Sequence, residues 1–361
     1  MHTGAEVRGT GRPLQVPVGD ALLGRVLDGL GRPVDGGPPL AAGVRHVDLA
    51  TETPHALTRT RVQHPLGFGV RALDTLVPCG RGQRLGIFAG SGVGKSTLLA
   101  QITRGTDADV RVIGLIGERG REVREFLEED LGPEGMARTV VVVATSDEPP
   151  LVRLKAAFVA TRIAEAFRDQ GRDVLLMMDS ITRTAMAQRE VGLSAGEPPA
   201  TRGYPPSVFA MMPKLLEKAG TAAVGSITGL YTVLVDGDDH NEPIADTARS
   251  ILDGHVVLTR KLATAGHFPA IDVLESISRV ATAVVAPPQM ADAREVRRLM
   301  GALRDVKELI EIGAYQAGTD PLVDRARQLA PAIEAFLQQP TGELTPAGDA
   351  WAWLNRIVRS A

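Results

Sequence analysis

The chain of 361 residues has one cysteine, Cys79, so no disulfide can close within it. A lone thiol suits a reducing compartment. Aromatic residues make up only 4%, too few for a platform that stacks bases. Forty basic residues oppose 43 acidic ones, and the net charge of −3 gives no electrostatic case for a nucleic-acid partner. No run approaches the roughly 20 apolar residues that span a bilayer. Residues 1–6 lack the apolar stretch of a secretory signal. Internal repeats and low-complexity segments are also missing. What remains is ordinary for a globular protein: 44% hydrophobic and 23% charged, enough for a large core. At about 150 residues per domain, two or three domains are expected.

Against these absences one stretch stands out, Ala89-Gly90-Ser91-Gly92-Val93-Gly94-Lys95-Ser96. It follows an apolar run at 85–88 and leads into Thr97-Leu98-Leu99-Ala100, which reads as strand, glycine-rich turn and helix start. Glycines let successive N–H groups point inward at phosphate oxygens, and the helix N-terminus adds its positive dipole end. Lys95 can reach β- and γ-phosphates, and the Ser96 hydroxyl can ligate Mg²⁺. The first loop position is Ala89 rather than glycine, which the loop tolerates if that residue keeps a negative φ.

From residue 84 onward, strand and helix signals alternate. Strands are expected at 84–88, 110–116, 140–144, 174–179, 223–235 and 256–259, and helices at 95–103, 122–129, 151–170, 181–191, 207–219 and 244–252. Such alternation implies an α/β fold with a mostly parallel sheet, whose ligands sit at the carboxyl ends of strands. After about Pro287 only helical patterns remain, at 291–306, 306–312, 321–338 and 347–360. Residues 1–20 read as extended, and 34–83 as loops with short helical fragments.

Asp179 ends the apolar strand Val174-Leu175-Leu176-Met177-Met178, where a phosphate-binding fold needs a carboxylate for Mg²⁺. Glu118 follows the strand at 110–116 and could polarise a water that attacks a γ-phosphorus. Spacing alone leaves Glu118 and Glu122 equally readable as a solvated charge cluster, with Glu122 favourable in the first turn of the next helix.

These residues carry a specific resemblance. The run 88–99, the segment 117–122 and Asp179-Ser180-Ile181-Thr182-Arg183 resemble the ATPases of the type III export apparatus, relatives of the rotary ATP synthase catalytic subunit. The likeness continues through Gly196-Glu197-Pro198-Pro199-Ala200-Thr201-Arg202-Gly203-Tyr204-Pro205-Pro206, Gly237-Asp238-Asp239, Ile251-Leu252-Asp253-Gly254-His255 and Ser276-Ile277-Ser278-Arg279-Val280. It covers about residues 12–338.

The resemblance implies a RecA-like ATPase domain at 21–286 and a small all-helical domain at 287–361. Residues 1–20 would hold a remnant of the family's N-terminal β-barrel, its last strand near residues 7–18, so a weakened ring is expected. It implies a loop of Gly90, Ser91, Gly92, Val93, Gly94, Lys95, Ser96 and Thr97 around ATP, with Ser96 and Asp179 at Mg²⁺. Glu118 is the implied catalytic carboxylate, Arg119 a neighbour that orders the site, and Arg279 an arginine finger given to the adjacent subunit. Phe268 is the implied aromatic on adenine; no second aromatic lies near Gln339-Pro340-Thr341. By sequence alone Arg279 is an ordinary surface arginine and Phe268 a core residue.

The implied function is Mg²⁺-dependent ATP hydrolysis by a homohexameric ring that energises type III export. The expected partners are export chaperones and substrates, stalk and regulator proteins, and a membrane export gate met peripherally at the cytoplasmic face of the inner membrane. The segments 236–241 and 266–268 lean to flagellar members over virulence ones. Alternatives are an ATP synthase-type subunit, a non-catalytic nucleotide-binding scaffold and a hexameric RNA translocase. The Ser96 wording of the loop, Glu118 and the acidic balance oppose these in turn.

Overall fold

The computed structural model describes residues 6, 8–235 and 242–360. Val7 and the acidic run 236–241, both used in the sequence reading, lie outside them. The strands are β1 (Gln15–Val18), β2 (Val26–Asp28), β3 (Arg45–Asp48), β4 (Pro65–Leu66), β5 (Cys79–Gly80), β6 (Arg84–Ala89), β7 (Val110–Ile116), β8 (Thr139–Ala144), β9 (Asp173–Asp179), β10 (Gly220–Thr221), β11 (Ser226–Leu234), β12 (Gly254–Leu258) and β13 (Ile271–Ser278).

One sheet of nine strands forms the body, in the order β13-β12-β6-β11-β9-β7-β8-β2, with β10 paired to β11. The neighbours from β12 to β2 all run parallel, while β13 runs antiparallel at one edge. Every residue of β7 is buried, and so is nearly all of β6, β9 and β11. Continuous burial marks strands covered on both faces, which is why they read as unbroken Val, Ile and Leu runs. One face buries helix Pro150–Arg168, with Ala157, Val159, Ile163 and Phe167 all at or below 1% exposure. The other takes helix Lys95–Gly105 through Leu98, Leu99 and Ile102. Each such side chain contributes about 1.5–3 kcal/mol of burial.

The expected strands and helices are all present, most within two or three residues of their predicted ends. Proline sharpens several starts: Pro150, Pro206, Pro243, Pro287 and Pro321 each open a helix. Proline fits there because its missing N–H has no partner in the first turn anyway. Three readings need correction. The strand expected from residue 223 begins at Ser226, after a hairpin from β10. The region 34–83 holds β3, β4 and β5 as well as loops and helix Arg71–Leu76. The helix expected at 122–129 is Gly120–Glu125 continuing into a π-helical turn, Phe126–Leu131. Strands of two to four residues give no period long enough to read.

The first strand is not isolated. β1 pairs antiparallel with β3, and Val16 is fully buried in the same core as helix Pro150–Arg168. Beyond β13 the described residues form helices only, chiefly Pro287–Asp305, Pro321–Leu337 and Ala347–Arg359. Asp320 caps the second of these by accepting from Leu322 N at 2.8 Å. Arg71 joins this helical part to helix Arg71–Leu76: its guanidinium lies 4.7 Å over the Trp353 ring and donates to the Phe336 carbonyl at 2.8 Å.

Candidate active site

The glycine-rich loop leaves the carboxyl end of β6 and enters helix Lys95–Gly105. Ala89 is the buried last residue of β6, paired with Leu234 and Leu258, so the loop begins from extended backbone that alanine accepts. Gly94 sits at φ +85° just before the helix, where a side chain would be strained. Val93 is buried under the loop, while Ser91, Gly92 and Ser96 face solvent. The Ser91 carbonyl accepts from Arg260 Nη2 at 3.3 Å.

Three of the expected side chains converge at the loop. Asp179, at the end of β9 and 3% exposed, ion-pairs with Lys95 Nζ. Glu118, just beyond β7, lies 3.8 Å from the same ammonium. The strand order explains the meeting: β6, β11, β9 and β7 are consecutive neighbours, and all end on the same edge. Between β6 and β9, Thr232 of β11 donates to Asp179 Oδ1 at 2.7 Å and fixes that carboxylate. Gly117 allows the turn into Glu118: it has φ +75°, and a Cβ there would lie 2.9 Å from Arg183 Cβ. Ser180 caps helix Ile181–Ser194 by accepting from Arg183 N at 3.1 Å.

Two carboxylates thus share one lysine in a partly dry site. Burial, followed by the charge of Asp179, pushes the Glu118 carboxyl up to about 7, against the pull of Lys95. Glu122 adds to the upward push through a hydrogen bond and its own charge. A folded value raised above 4.5 means that the group's stabilising contribution is complete below about pH 4.5 and is lost as pH rises through 7. Glu118→Gln is therefore expected to raise the melting temperature of the ligand-free chain at pH 8 and to do little at pH 5. Equal shifts at both pH values in thermal unfolding would exclude the coupling.

The oxygen donors suit a hard cation. A hydroxyl at Ser96 and a carboxylate at Asp179 match Mg²⁺ held mostly by phosphate and water. No group of three or more His, Cys, Asp or Glu side chains forms a cage of its own among the described residues.

A cavity of about 230 Å³ opens beside the loop, lined by Gly94, Thr97, Leu98, Gln101, Phe268 and Thr341. Phe268 is 42% exposed, and its ring atoms lie 3.3 Å from where a Gly94 Cβ would stand. It is therefore an exposed wall of the cavity rather than a core residue.

Two expected residues stand apart. Arg119 is 78% exposed at its side chain and pairs with Glu122 at 3.0 Å, so it meets Glu118 only through Glu122. Arg279 follows β13, exposed, with its backbone N donating to the Asp253 carbonyl at 3.0 Å. Because β13 is antiparallel, Ser278 pairs with Gly254 at the start of β12. Arg279 thus lies at the amino ends of the parallel strands, roughly 13 Å or more of strand away from the loop of its own chain. Thr232, Gln101 and Arg260 went unread in the sequence, because strand neighbours and pocket walls carry no local motif.

Known proteins share this architecture. Residues 69–278 match the ATP synthase alpha/beta family, nucleotide-binding domain, and residues 285–356 match the T3SS EscN ATPase C-terminal domain. The flagellum-specific ATP synthase of Salmonella typhimurium is 56% identical over 348 residues, covering 95% of this chain and 75% of that protein. The type 3 secretion system ATPase of Xanthomonas euvesicatoria is 54% identical over 355 residues, 98% and 80% of the two chains. The assembled ATPase EscN of enteropathogenic E. coli, in complex with its central stalk EscO, superposes with a TM-score of 0.90 at 51% identity, covering 96% and 83%.

Proposed function

This chain belongs to the ATP synthase alpha/beta family, among the ATPases of type III export, and from that premise we propose that it hydrolyses Mg²⁺-bound ATP between adjacent copies of itself in a flagellar export ring. The observation that carries the reading is the convergence of Lys95, Glu118 and Asp179 at the strand ends beside the loop.

The backbone of Gly90–Lys95 receives the phosphates, and Lys95 exchanges a carboxylate partner for phosphate oxygens. Ser96 and Asp179 would hold Mg²⁺, which would supply charge neutralisation on the transferring phosphoryl group. Glu118 orients a water in line with the γ-phosphorus and accepts its proton. Thr232 keeps Asp179 turned toward the loop. Phe268 stacks on the base and Thr97 lines the same cavity. Arg119 acts at one remove, holding Glu122 and through it the setting of Glu118. Arg279 of the neighbouring copy reaches the phosphates. Since Glu118 must be ionised to accept a proton, kcat/KM rises with pH and levels off above about 7.

In this reading the ring is a homohexamer seated on a stalk protein, as EscN sits on EscO. It meets chaperones, export substrates and regulators through the helices after Pro287. None of the described helices is long and apolar enough to cross a membrane, which fits a protein that meets the export gate from the cytoplasmic face. The flagellum-specific relatives are 52–56% identical and the type 3 secretion relatives 50–54%, overlapping ranges that favour the flagellar assignment by a narrow margin. A motility test in a strain lacking its flagellar ATPase checks it: restored swimming is expected. Restored effector secretion without swimming, in a strain lacking its virulence ATPase, would assign the chain to the other system.

A further inference from the structure

One wall of the cavity beside the loop comes from the helical part after Pro287. It is the turn 338–343 between helices Pro321–Leu337 and Ala347–Arg359, which brings Gln339 and Thr341 opposite Phe268. This turn is anchored at its start by Arg71, which donates to the Gln338 carbonyl and to Gln339 Oε1, and by the Gly69 carbonyl, which accepts from Gln339 Nε2 at 2.8 Å; it is fastened from two further sides. Gln339 N donates to the Phe268 carbonyl at 2.8 Å, linking the turn to the aromatic itself. From the other side, two residues of helix Lys95–Gly105 reach across. Gln101, 2% exposed, donates Nε2 to the carbonyls of Glu343 at 2.9 Å and Pro340 at 3.3 Å. Arg104, one turn further on, donates Nη2 to the Thr341 carbonyl at 2.7 Å and also bonds the Asp130 carbonyl.

That helix begins at Lys95, so the phosphate end and the base wall hang from one rigid element. Gln101 and Arg104 stand six and nine residues after Lys95, roughly 9 and 14 Å along the axis. This is the scale of the distance between a terminal phosphate and a purine. Three of the four carbonyls they hold belong to the turn; those of Pro340 and Glu343 also accept from Glu343 N and Gln339 Nε2, both at 2.9 Å, whereas the Thr341 carbonyl depends on Arg104 and would drive the turn to rearrange if left without it.

We infer that Gln101 and Arg104 are positioning residues for the nucleotide base: they clamp the 338–343 turn so that Gln339 and Thr341 close the pocket opposite Phe268 at a fixed distance from the phosphate loop. The inference rests on the proposed seat of the base at Phe268. Neither residue touches the phosphates in this arrangement. The clamp therefore sets affinity for the nucleoside and leaves the triphosphate subsite alone.

The test compares two ligands by calorimetry with Mg²⁺ present: ADP, which fills both subsites, and inorganic tripolyphosphate, which fills only the loop. In Gln101→Leu, and independently in the half-buried Arg104→Met, ADP binding is expected to weaken about tenfold, as for one or two lost hydrogen bonds. Tripolyphosphate binding should stay within twofold of the parent in both variants, and kcat at saturating ATP within twofold in Arg104→Met. Arg104→Met keeps the test open if the buried glutamine variant fails to fold. Equal weakening of both ligands would mean that the residues merely support the loop, and would overturn the inference. Unchanged ADP binding in both variants, with Phe268→Ala still weakening it, would overturn the inference and leave the base seat standing. Unchanged ADP binding in Phe268→Ala itself would remove the base seat and the clamp together.

Discussion

Glu118→Gln is expected to lower ATP turnover by about 10²–10⁴-fold while leaving nucleotide affinity near that of the parent. The substitution keeps the size of a side chain that is only 17% exposed, so packing beyond β7 is preserved. It removes the one property that the chemistry uses, a carboxylate that can take a proton from water. Binding is spared because the loop backbone and Lys95 hold the phosphates. It is helped slightly, because Lys95 loses a competing anion 3.8 Å away and one negative charge leaves the seat of a polyanion. The comparison is between phosphate release and fluorescent-nucleotide binding on the same preparation. Wild-type turnover in the variant would exclude Glu118 as the base. Loss of binding and turnover together would make it a structural residue.

Arg279→Ala is expected to reduce turnover by about 10³-fold or more, the usual worth of a finger that meets transition-state charge. Given the chain's own geometry, such an effect would have to pass between copies. Arg279 sits at the opposite end of the sheet from the loop it would serve, because β13 runs against β12. No side chain spans that distance within one copy. Two consequences can be measured. In the parent, activity per chain rises with protein concentration as copies associate, and dilution reduces it to the level of the variant. Mixing Arg279→Ala with Glu118→Gln should restore activity that neither has alone, since an intact Glu118 can then face an intact Arg279. In randomly mixed rings about a quarter of the sites are whole. Failure of the mixture to recover, with both variants shown to associate, would mean that the arginine serves its own chain or none.

The local chemistry was legible early. Ala89–Ser96 announces phosphate because a strand, two left-handed glycines and a helix start are all encoded within eight residues. β6, β7, β9 and β11 are visible because strands buried on both faces cannot dilute their apolar runs. The helices after Pro287 are visible because amphipathic periodicity survives over thirteen or more residues. The resemblance to export ATPases named the residues of the site, but gave them no positions relative to one another.

Pairing in space was decided only by the tertiary structure. Short strands such as β1 and β3 take their identity from a partner 30 residues away. Thr232 is one threonine among many until β11 lies beside β9 and turns its hydroxyl to Asp179. Phe268 reads as core, yet the turn 338–343 and Gly94 leave it as an open wall. Arg119 and Arg279 look alike in sequence, one beside Glu118 and one far from it. The fold turns the first outward and carries the second to the far end of the sheet. The sequence by itself determined the ligand class, through backbone conformations that a few adjacent residues dictate. That Lys95, Glu118 and Asp179 converge beside the loop, and that Arg279 lies far from them in the same chain, followed from strand order and strand direction, because these are properties of contacts between segments that no local stretch contains.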